Sequence, residues 1–286
     1  MRKYTALFAA SLALVAAAAG ASAPQNAKAV QIKGSDTMVN LGQAWAEAFS
    51  KRTPGVNIAV TGGGSGTGIT ALVNGTCDIA ESSRAMEDKE IKQAEAKGIK
   101  PNQEKVALDG IAIVVHPKNP VKNLTIDQLR EIFMGNIENW KVLGGANKPI
   151  VILSREVNSG THIFLKEHVL RRGNAKGPEE FSPTALMMPS SQAIADEVAG
   201  NENAIGYYGM GYIGPKQKVI AVAKDAKSPF IEPTVDNVKS SVYPISRPLF
   251  LYTNGTPQGV IKGFIDFVYS KDGQDIVRKL DFVPVK

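Results

Sequence analysis

The octapeptide TGGGSGTG occupies residues 61–68 and joins a segment of alternating apolar residues to a second apolar segment. The alternation over residues 56–60 predicts a β-strand, and residues 69–73 predict the first turns of an α-helix. Glycines let a backbone approach a ligand closely, and the free N–H groups of a first helical turn attract negative charge. The octapeptide therefore predicts an anion-binding turn.

Two other turns repeat this arrangement. GSDT at residues 34–37 and NSGT at residues 158–161 each precede a predicted helix. The octapeptide alone is also compatible with a solvated loop, because it lacks the lysine of a nucleotide P-loop and the spacing of a dinucleotide fingerprint. The repetition of small, hydroxyl-bearing turns favours the anion site.

The N-terminus has the features of a secretory signal peptide. Residues 1–23 contain two basic residues, an alanine-rich apolar segment and a small-residue exit. The alternative is a membrane anchor, for which the apolar segment is short. Cys77 is the only cysteine, so no intrachain disulfide can form. We expect an exported, periplasmic protein that acts as a monomer.

The charge pattern argues against a nucleic-acid partner. The chain of 286 residues has a formal net charge of +6, and its basic residues are interspersed with acidic ones. A modest positive balance suits an anionic ligand without requiring one.

Strands and helices alternate along the chain, which predicts an α/β fold with a largely parallel sheet. Ligands of such sheets bind beyond the carboxyl ends of the strands, where the hydroxyl-bearing turns fall. We expect two lobes: residues 30–112 with 245–286 form lobe I, and residues 113–244 form lobe II. The chain would cross between them near Ile111 and near Arg247, making a hinge that can close around a ligand. One continuous α/β domain is the alternative.

A buried oxyanion needs many hydrogen-bond donors, because an unpaired buried charge is costly. Serine and threonine hydroxyls and backbone N–H groups supply neutral donors, and an arginine supplies a planar fork. The predicted side-chain donors are Ser35, Ser65, Ser83, Arg155, Ser159 and Thr161.

Asp36 is the acidic residue within these turns. An ionised carboxylate only accepts hydrogen bonds, so it could take the proton of hydrogen phosphate but would repel fully deprotonated sulfate. Asp36 would then favour phosphate over sulfate. The alternative is that Asp36 only caps the helix that follows it.

Five motifs follow one another along the chain: GSDT, GGGSGTG, CDIAESSR, SREVNSGT and AIGY. In combination and in this order, they resemble the motifs of the phosphate-binding proteins of bacterial phosphate ABC transporters. The resemblance implies a two-lobed type II periplasmic-binding fold of mixed sheets flanked by helices, with the ligand cleft between the lobes. It also implies high-affinity binding of inorganic phosphate and delivery to membrane-embedded ABC permease subunits, without a cofactor or metal. The residues it assigns to phosphate are Ser35, Asp36, Thr37, Ser65, Gly66, Arg155, Ser159, Gly160 and Thr161.

The chain departs from the family pattern at one position. The family has an aspartate on the third loop as the acceptor of the phosphate proton, and this chain has Ser83 there, followed by Arg84. We hypothesise that Asp36 takes over the acceptor role. Arg84 would either add a second cation to the cleft or lie on its rim.

Two other functions compete with phosphate transport. A protein of the same fold could bind sulfate, molybdate or tungstate, and the role of Asp36 distinguishes this case. An enzyme such as a phosphatase would need an activated nucleophile or clustered metal ligands. His162 follows the NSGT turn, but no Gly-x-Ser-x-Gly elbow accompanies it, and its spacing to His168 does not suit a metal pair. Cys77 is expected to be a small buried strand residue.

Overall fold

The structure is a computed structural model that describes residues 29–285. The predicted signal peptide, residues 1–23, lies outside the described residues. Within the described part, no helix is both long enough and apolar enough to span a membrane.

Eleven strands form a curled, mixed sheet between residues 29 and 285. Their bounds are β1 (Val30–Gly34), β2 (Ile58–Thr61), β3 (Ile79–Ser82), β4 (Pro101–Val115), β5 (Asn123–Thr125), β6 (Val151–Arg155), β7 (Leu186–Met188), β8 (Ala204–Gly209), β9 (Lys218–Ala223), β10 (Ser246–Asn254) and β11 (Val283–Pro284). The main order is β2-β1-β3-β10-β4-β8-β6-β7; β9 and β11 also pair with β4, and β5 pairs with β9.

The expectation of a largely parallel sheet is wrong. Five strand pairs are parallel and five are antiparallel. The antiparallel pairs all involve β4 or β10, because each of these long strands is antiparallel to every strand with which it pairs.

Nine α-helices flank the sheet in the same range. They are α1 (Val39–Arg52), α2 (Ser65–Val73), α3 (Asp88–Ala96), α4 (Ile126–Phe133), α5 (Gly160–Leu165), α6 (Ser191–Gly200), α7 (Val235–Lys239), α8 (Gly259–Tyr269) and α9 (Lys271–Lys279). A π-helical segment, Lys166–Leu170, extends α5. Short 3-10 segments follow α4 (Trp140–Leu143) and β8 (Met210–Tyr212).

The apolar face predicted for α1 is buried. Leu41, Trp45 and Phe49 have at most 7% of their surface exposed, and Trp45 Nε1 donates a hydrogen bond to the carbonyl of Gly273 at 2.8 Å. Trp140 is 1% exposed, so both tryptophans belong to the core as predicted. Helix α2 begins at Ser65, four residues earlier than the apolar pattern indicates, which places Ser65 in a first helical turn.

Strand β4 is shared between two groups of strands. Its residues 101–110 pair with β10, and its residues 111–115 pair with β8 and β9. The change of partners occurs at Ile111, where the sequence predicts the first crossing between lobes. Strands β4 and β10 therefore lie side by side at the junction of the two groups.

Candidate functional site

Four loops that follow the carboxyl ends of strands carry the predicted site. They are residues 35–38 after β1, 62–64 after β2, 83–87 after β3 and 156–159 after β6. Strand β1 pairs in parallel with both β2 and β3, so the first three loops leave the same edge of the sheet. The fourth loop meets them from the other group of strands, where the Asn158 carbonyl accepts a hydrogen bond from Gly66 N at 2.9 Å. The prediction that these turns lie at strand C-termini is confirmed.

Asn158 fastens the fourth loop to the glycine-rich loop. Its Nδ2 donates to the carbonyl of Gly63 at 2.8 Å and to Thr67 Oγ1 at 3.0 Å. A Cβ on Gly64 would lie 2.8 Å from the Asn158 carbonyl oxygen, so a larger residue there would push the loops apart. Nothing in the local pattern of Asn158 identifies it as an anchor between loops, because both partners are distant in sequence.

Asp36 bonds across the loops and does not cap α1. One carboxylate oxygen accepts from Gly63 N at 3.0 Å, and the other accepts from Arg155 Nη2 at 2.6 Å. The alternative that Asp36 only caps α1 is wrong, since α1 has Met38 at its N-cap and no side-chain cap hydrogen bond. The loop turns within residues 35–38 before the helix begins, which directs the Asp36 side chain towards the fourth loop.

The Asp36 backbone is also held. Tyr212 Oη donates to the Asp36 carbonyl at 2.5 Å, and burial raises the pKa of this tyrosine to about 12, so it stays protonated. Sequence reasoning missed Tyr212, which is 176 residues away in the chain.

The serines of the second and third loops meet Gly160. Ser65 Oγ accepts from Ser83 N at 3.0 Å and lies 3.2 Å from Ser83 Oγ. A Cβ on Gly160 would lie 2.3 Å from Ser65 Oγ and 2.7 Å from Ser83 Oγ. The glycine therefore lets the N-terminus of α5 approach both hydroxyls. Ser159 Oγ accepts from His162 N at 3.4 Å as the N-cap of α5.

The Arg155 guanidinium belongs to this group but is largely occupied. Its Nε donates to the carbonyl of Met188, its Nη1 to Ser191 Oγ, and its Nη2 to Asp36 and to the carbonyl of Pro189. Four of the five donors of an arginine are thus used, which leaves one Nη1 hydrogen. The expected free bidentate fork is not present in this arrangement, because Met188 at the end of β7 and Pro189 after it present their carbonyls to the guanidinium.

Arg84 is not brought to the other predicted residues. Its Nη1 and Nη2 donate to the two oxygens of Glu90, both at 2.7 Å, and Glu87 lies 3.6 Å away. These carboxylates belong to the capping box at the start of α3. Of the two expectations for Arg84, a second cation in the cleft is not supported by this contact.

Thr37 and Thr161 contact each other and an arginine that sequence reasoning did not assign to the site. Their hydroxyls are 2.9 Å apart, and Arg247 Nη2 lies 3.2 Å from Thr37 Oγ1 and 2.9 Å from Thr161 Oγ1. Arg247 also forms an ion pair with Asp109 through two hydrogen bonds, and both side chains are fully buried. The sequence feature that could have identified Arg247 is the presence of an arginine within the apolar segment that becomes β10.

Two buried donors at this site have no partner among residues 29–285. They are Ser35 Oγ and Arg247 Nη1. Buried polar groups are almost always hydrogen-bonded, and leaving one unsatisfied costs about 1–3 kcal/mol. Both atoms are suited to donate to an additional acceptor.

Glu81 is the buried acid behind the first loop. Its side chain lies against Gly42, where a Cβ would be 2.1 Å from Glu81 Oε1, and both carboxyl oxygens lack a partner among the described residues. Burial, with a smaller contribution from Asp36, raises the pKa of Glu81 well above its ordinary value. The protonated, neutral form of this carboxyl group therefore persists to a higher pH than in an exposed glutamate.

The groups considered for catalysis are buried and uncharged. Burial lowers the pKa of His162 to about 4 and raises that of the Cys77 thiol to about 12. His162 Nδ1 lies 3.2 Å from Ser154 Oγ, and its ring packs on Phe181 with centroids 4.5 Å apart. Within residues 29–285, no group of three or more histidine, cysteine, aspartate or glutamate residues is arranged to hold a metal ion.

Comparisons with known proteins show the family of the chain. A family model described as a PBP superfamily domain matches residues 19–272. The phosphate-binding protein PstS of Pseudomonas aeruginosa is 35% identical over 269 residues, which cover 88% of this chain and 81% of that protein. PstS of Bacillus subtilis is 34% identical over 255 residues, covering 89% of this chain and 80% of that protein.

A solved structure is also similar. A Clostridium perfringens protein described as a phosphate ABC transporter substrate-binding protein, crystallised with bound phosphate, superposes with a TM-score of 0.81. It is 36% identical, and the match covers 90% of this chain and all of that chain.

Proposed function

Since this chain belongs to the PBP superfamily and, within it, to the phosphate-binding proteins of the PstS type, we propose that it binds inorganic phosphate between the loops described above. The bound phosphate is delivered to an ABC-type permease in the membrane. The chain acts as a periplasmic solute-binding protein, after export through a signal peptide, and it carries out no catalysis.

The observation that carries this proposal is the convergence of donors from both groups of strands. The hydroxyls of Thr37 and Thr161 meet at 2.9 Å, and those of Ser65 and Ser83 lie 3.2 Å apart. An oxyanion between these loops would accept the hydrogen bonds that the hydroxyls now exchange with one another. It would also give a partner to the buried Ser35 Oγ, which has none among residues 29–285.

The proposed phosphate ligands come from four loops. They are Ser35, Asp36, Thr37, Ser65, Gly66, Ser83, Arg155, Ser159, Gly160 and Thr161. Gly66 N donates a hydrogen bond to the Asn158 carbonyl when the loops are in contact. This hydrogen bond would have to break before Gly66 N could donate to phosphate. Arg84 is placed outside the binding set, because its fork is taken by Glu90.

Asp36 is proposed to accept the proton of hydrogen phosphate. Its carboxylate holds two hydrogen bonds, from Gly63 N and Arg155 Nη2, and a carboxylate has about four acceptor positions. Capacity for a ligand proton therefore remains. A fully deprotonated oxyanion offers no such proton and would meet the carboxylate charge, which disfavours sulfate, molybdate and tungstate.

Two lobes close around the ligand in this proposal. Residues 30–112 and 245–286 form lobe I and residues 113–244 form lobe II, with the chain crossing in β4 and just before β10. The loop contacts of Asn158 and Asp36 join the two sides and would have to break when the cleft opens.

Isothermal titration of the anion-free protein with phosphate and with sulfate tests the proposal. Tight phosphate binding at one site per chain with much weaker sulfate binding is the expected result. Sulfate binding as tight as phosphate binding would overturn the assignment of the anion. Turnover of a generic phosphomonoester would overturn the assignment as a transport protein.

A further inference from the structure

A buried ion pair joins the two strands at the junction of the proposed lobes. Asp109 on β4 lies directly opposite Arg247 on β10 in the antiparallel register. Arg247 Nε and Nη2 donate to Asp109 Oδ2 at 3.0 and 2.9 Å, and both side chains are fully buried. Met210 N donates to the second oxygen, Asp109 Oδ1, at 3.0 Å. We call Asp109 and Arg247 the hinge pair.

The hinge pair reaches both sides of the cleft through one nitrogen. Arg247 Nη2 lies within hydrogen-bond distance of Thr37, on the loop after β1, and of Thr161, in the first turn of α5. The guanidinium carbon also lies 5.7 Å from the centre of the Phe164 ring, which belongs to α5. The contacts to α5 require that the two sides be close together.

The chemistry of guanidinium fixes what the two threonines can do. Arginine only donates, and one of the two Nη2 hydrogens is given to Asp109, so the other is shared between the two Oγ1 atoms, which both accept it. One of the two hydroxyl hydrogens forms the bond between the threonines, and the other is left to donate to a further acceptor. Asp109 offsets the arginine charge, so the threonines are oriented as donors without an uncompensated cation next to them.

We propose that the hinge pair is a positioning device that holds the cleft closed and orients Thr37 and Thr161 towards the bound anion. Arg247 would form its hydrogen bond to Thr161 and its cation–π contact with Phe164 only as the cleft closes. Their loss would therefore speed opening and release of phosphate and would leave the encounter of phosphate with the open protein unchanged. This inference rests on the proposed function.

Two variants test the hinge pair in the full protein. Arg247→Lys keeps the charge but replaces the planar fork with a single nitrogen. The double variant Arg247→Met with Asp109→Leu removes both charges together, which avoids a buried unpaired carboxylate if the single variant fails to fold. Arg278→Lys on α9 is the control, because Arg278 pairs with Asp275 on the same helix and neither residue belongs to the loops of the site.

The readouts are the association and dissociation rates of radiolabelled inorganic phosphate, the latter chased with unlabelled phosphate. Both hinge-pair variants are expected to release phosphate roughly 10- to 100-fold faster, with association within about twofold of wild type. If the hinge pair only stabilised the fold, its replacement would lower the unfolding temperature without making dissociation of phosphate faster while association stays unchanged. This inference alone would be overturned if the wild type binds phosphate but the variants release it at the wild-type rate. It would also be overturned if the variants change only the association rate. A wild-type protein that binds no phosphate would overturn the proposed function, and this inference with it.

Discussion

Replacing Asp36 with asparagine is expected to reduce the preference for phosphate over sulfate. Asparagine has nearly the same shape, and its amide oxygen can still accept from Gly63 N, which is 3.0 Å from the carboxylate in the wild type. It loses the negative charge that faces Arg155 Nη2 at 2.6 Å. It also loses a strong acceptor for the phosphate proton.

The size of the effect is best judged from the ratio of the two affinities. Removing the carboxylate relieves repulsion with any dianion, by roughly 7 kcal/mol for a single and a double charge about 5 Å apart at an effective dielectric constant of about 20. This gain is common to hydrogen phosphate and sulfate, so it cancels in the ratio. Only phosphate loses a hydrogen bond to a charged acceptor, which contributes about 1.5–3 kcal/mol. The preference for phosphate should therefore fall by roughly 10- to 150-fold.

The assay is titration of wild type and Asp36→Asn with each anion at about pH 8, where phosphate is mainly doubly charged like sulfate. Asp78→Asn is the matched control, since it removes one charge from a carboxylate that accepts from Gln31 N at 2.8 Å at the opposite end of β3. The control should keep the wild-type ratio. An Asp36→Asn ratio within about threefold of wild type would refute the acceptor role and leave Asp36 only as the partner of Arg155.

Three further predictions concern buried groups. Glu81→Gln should raise the free energy of unfolding more at high pH than at low pH. Burial raises the pKa of Glu81 above 4.5 in the folded protein. The free energy of unfolding of the wild type therefore falls by up to about 1.4 kcal/mol per pH unit as the pH rises from 4.5 to that raised value. Urea unfolding at several pH values measures this, and a pH-independent difference would contradict it. Gly160→Ala should weaken phosphate binding by roughly 5- to 150-fold, because its Cβ would lie 2.3 Å from Ser65 Oγ and such overpacking costs about 1–3 kcal/mol. In titrations, Gly200→Ala, whose Cβ would meet nothing within 4 Å, is the control, and equal affinities would count against the close approach. The Cys77 thiol, with its pKa raised to about 12 by burial, should resist a disulfide reagent in the folded protein, and rapid labelling would show that it is accessible.

Local patterns in the sequence were enough to predict most elements and the place of the loops. The spacing of Leu41, Trp45 and Phe49 predicted α1 and its buried face, because helical periodicity is a property of neighbouring residues. The turns around Ser35, Ser65 and Ser159 were recognisable for the same reason. Glycine and small hydroxyl residues at the end of a strand act within a few residues of the chain, and the alternation of elements then places the turns at one edge of a sheet.

Strand direction and the partners of charged groups were decided only by the tertiary structure. Arg155 and Asp36 are 119 residues apart, and Arg247 and Asp109 are 138 residues apart, so no local pattern could pair them. Arg84 shows what local sequence patterns could not determine. Its long side chain near the predicted cleft had two possible directions, and the ion pair with Glu90 determined which one it took. A charged side chain that is withdrawn from water takes the nearest satisfying partner in three dimensions. The sequence alone thus determined which donors the loops carry, and the tertiary structure decided which of those donors are free for an anion.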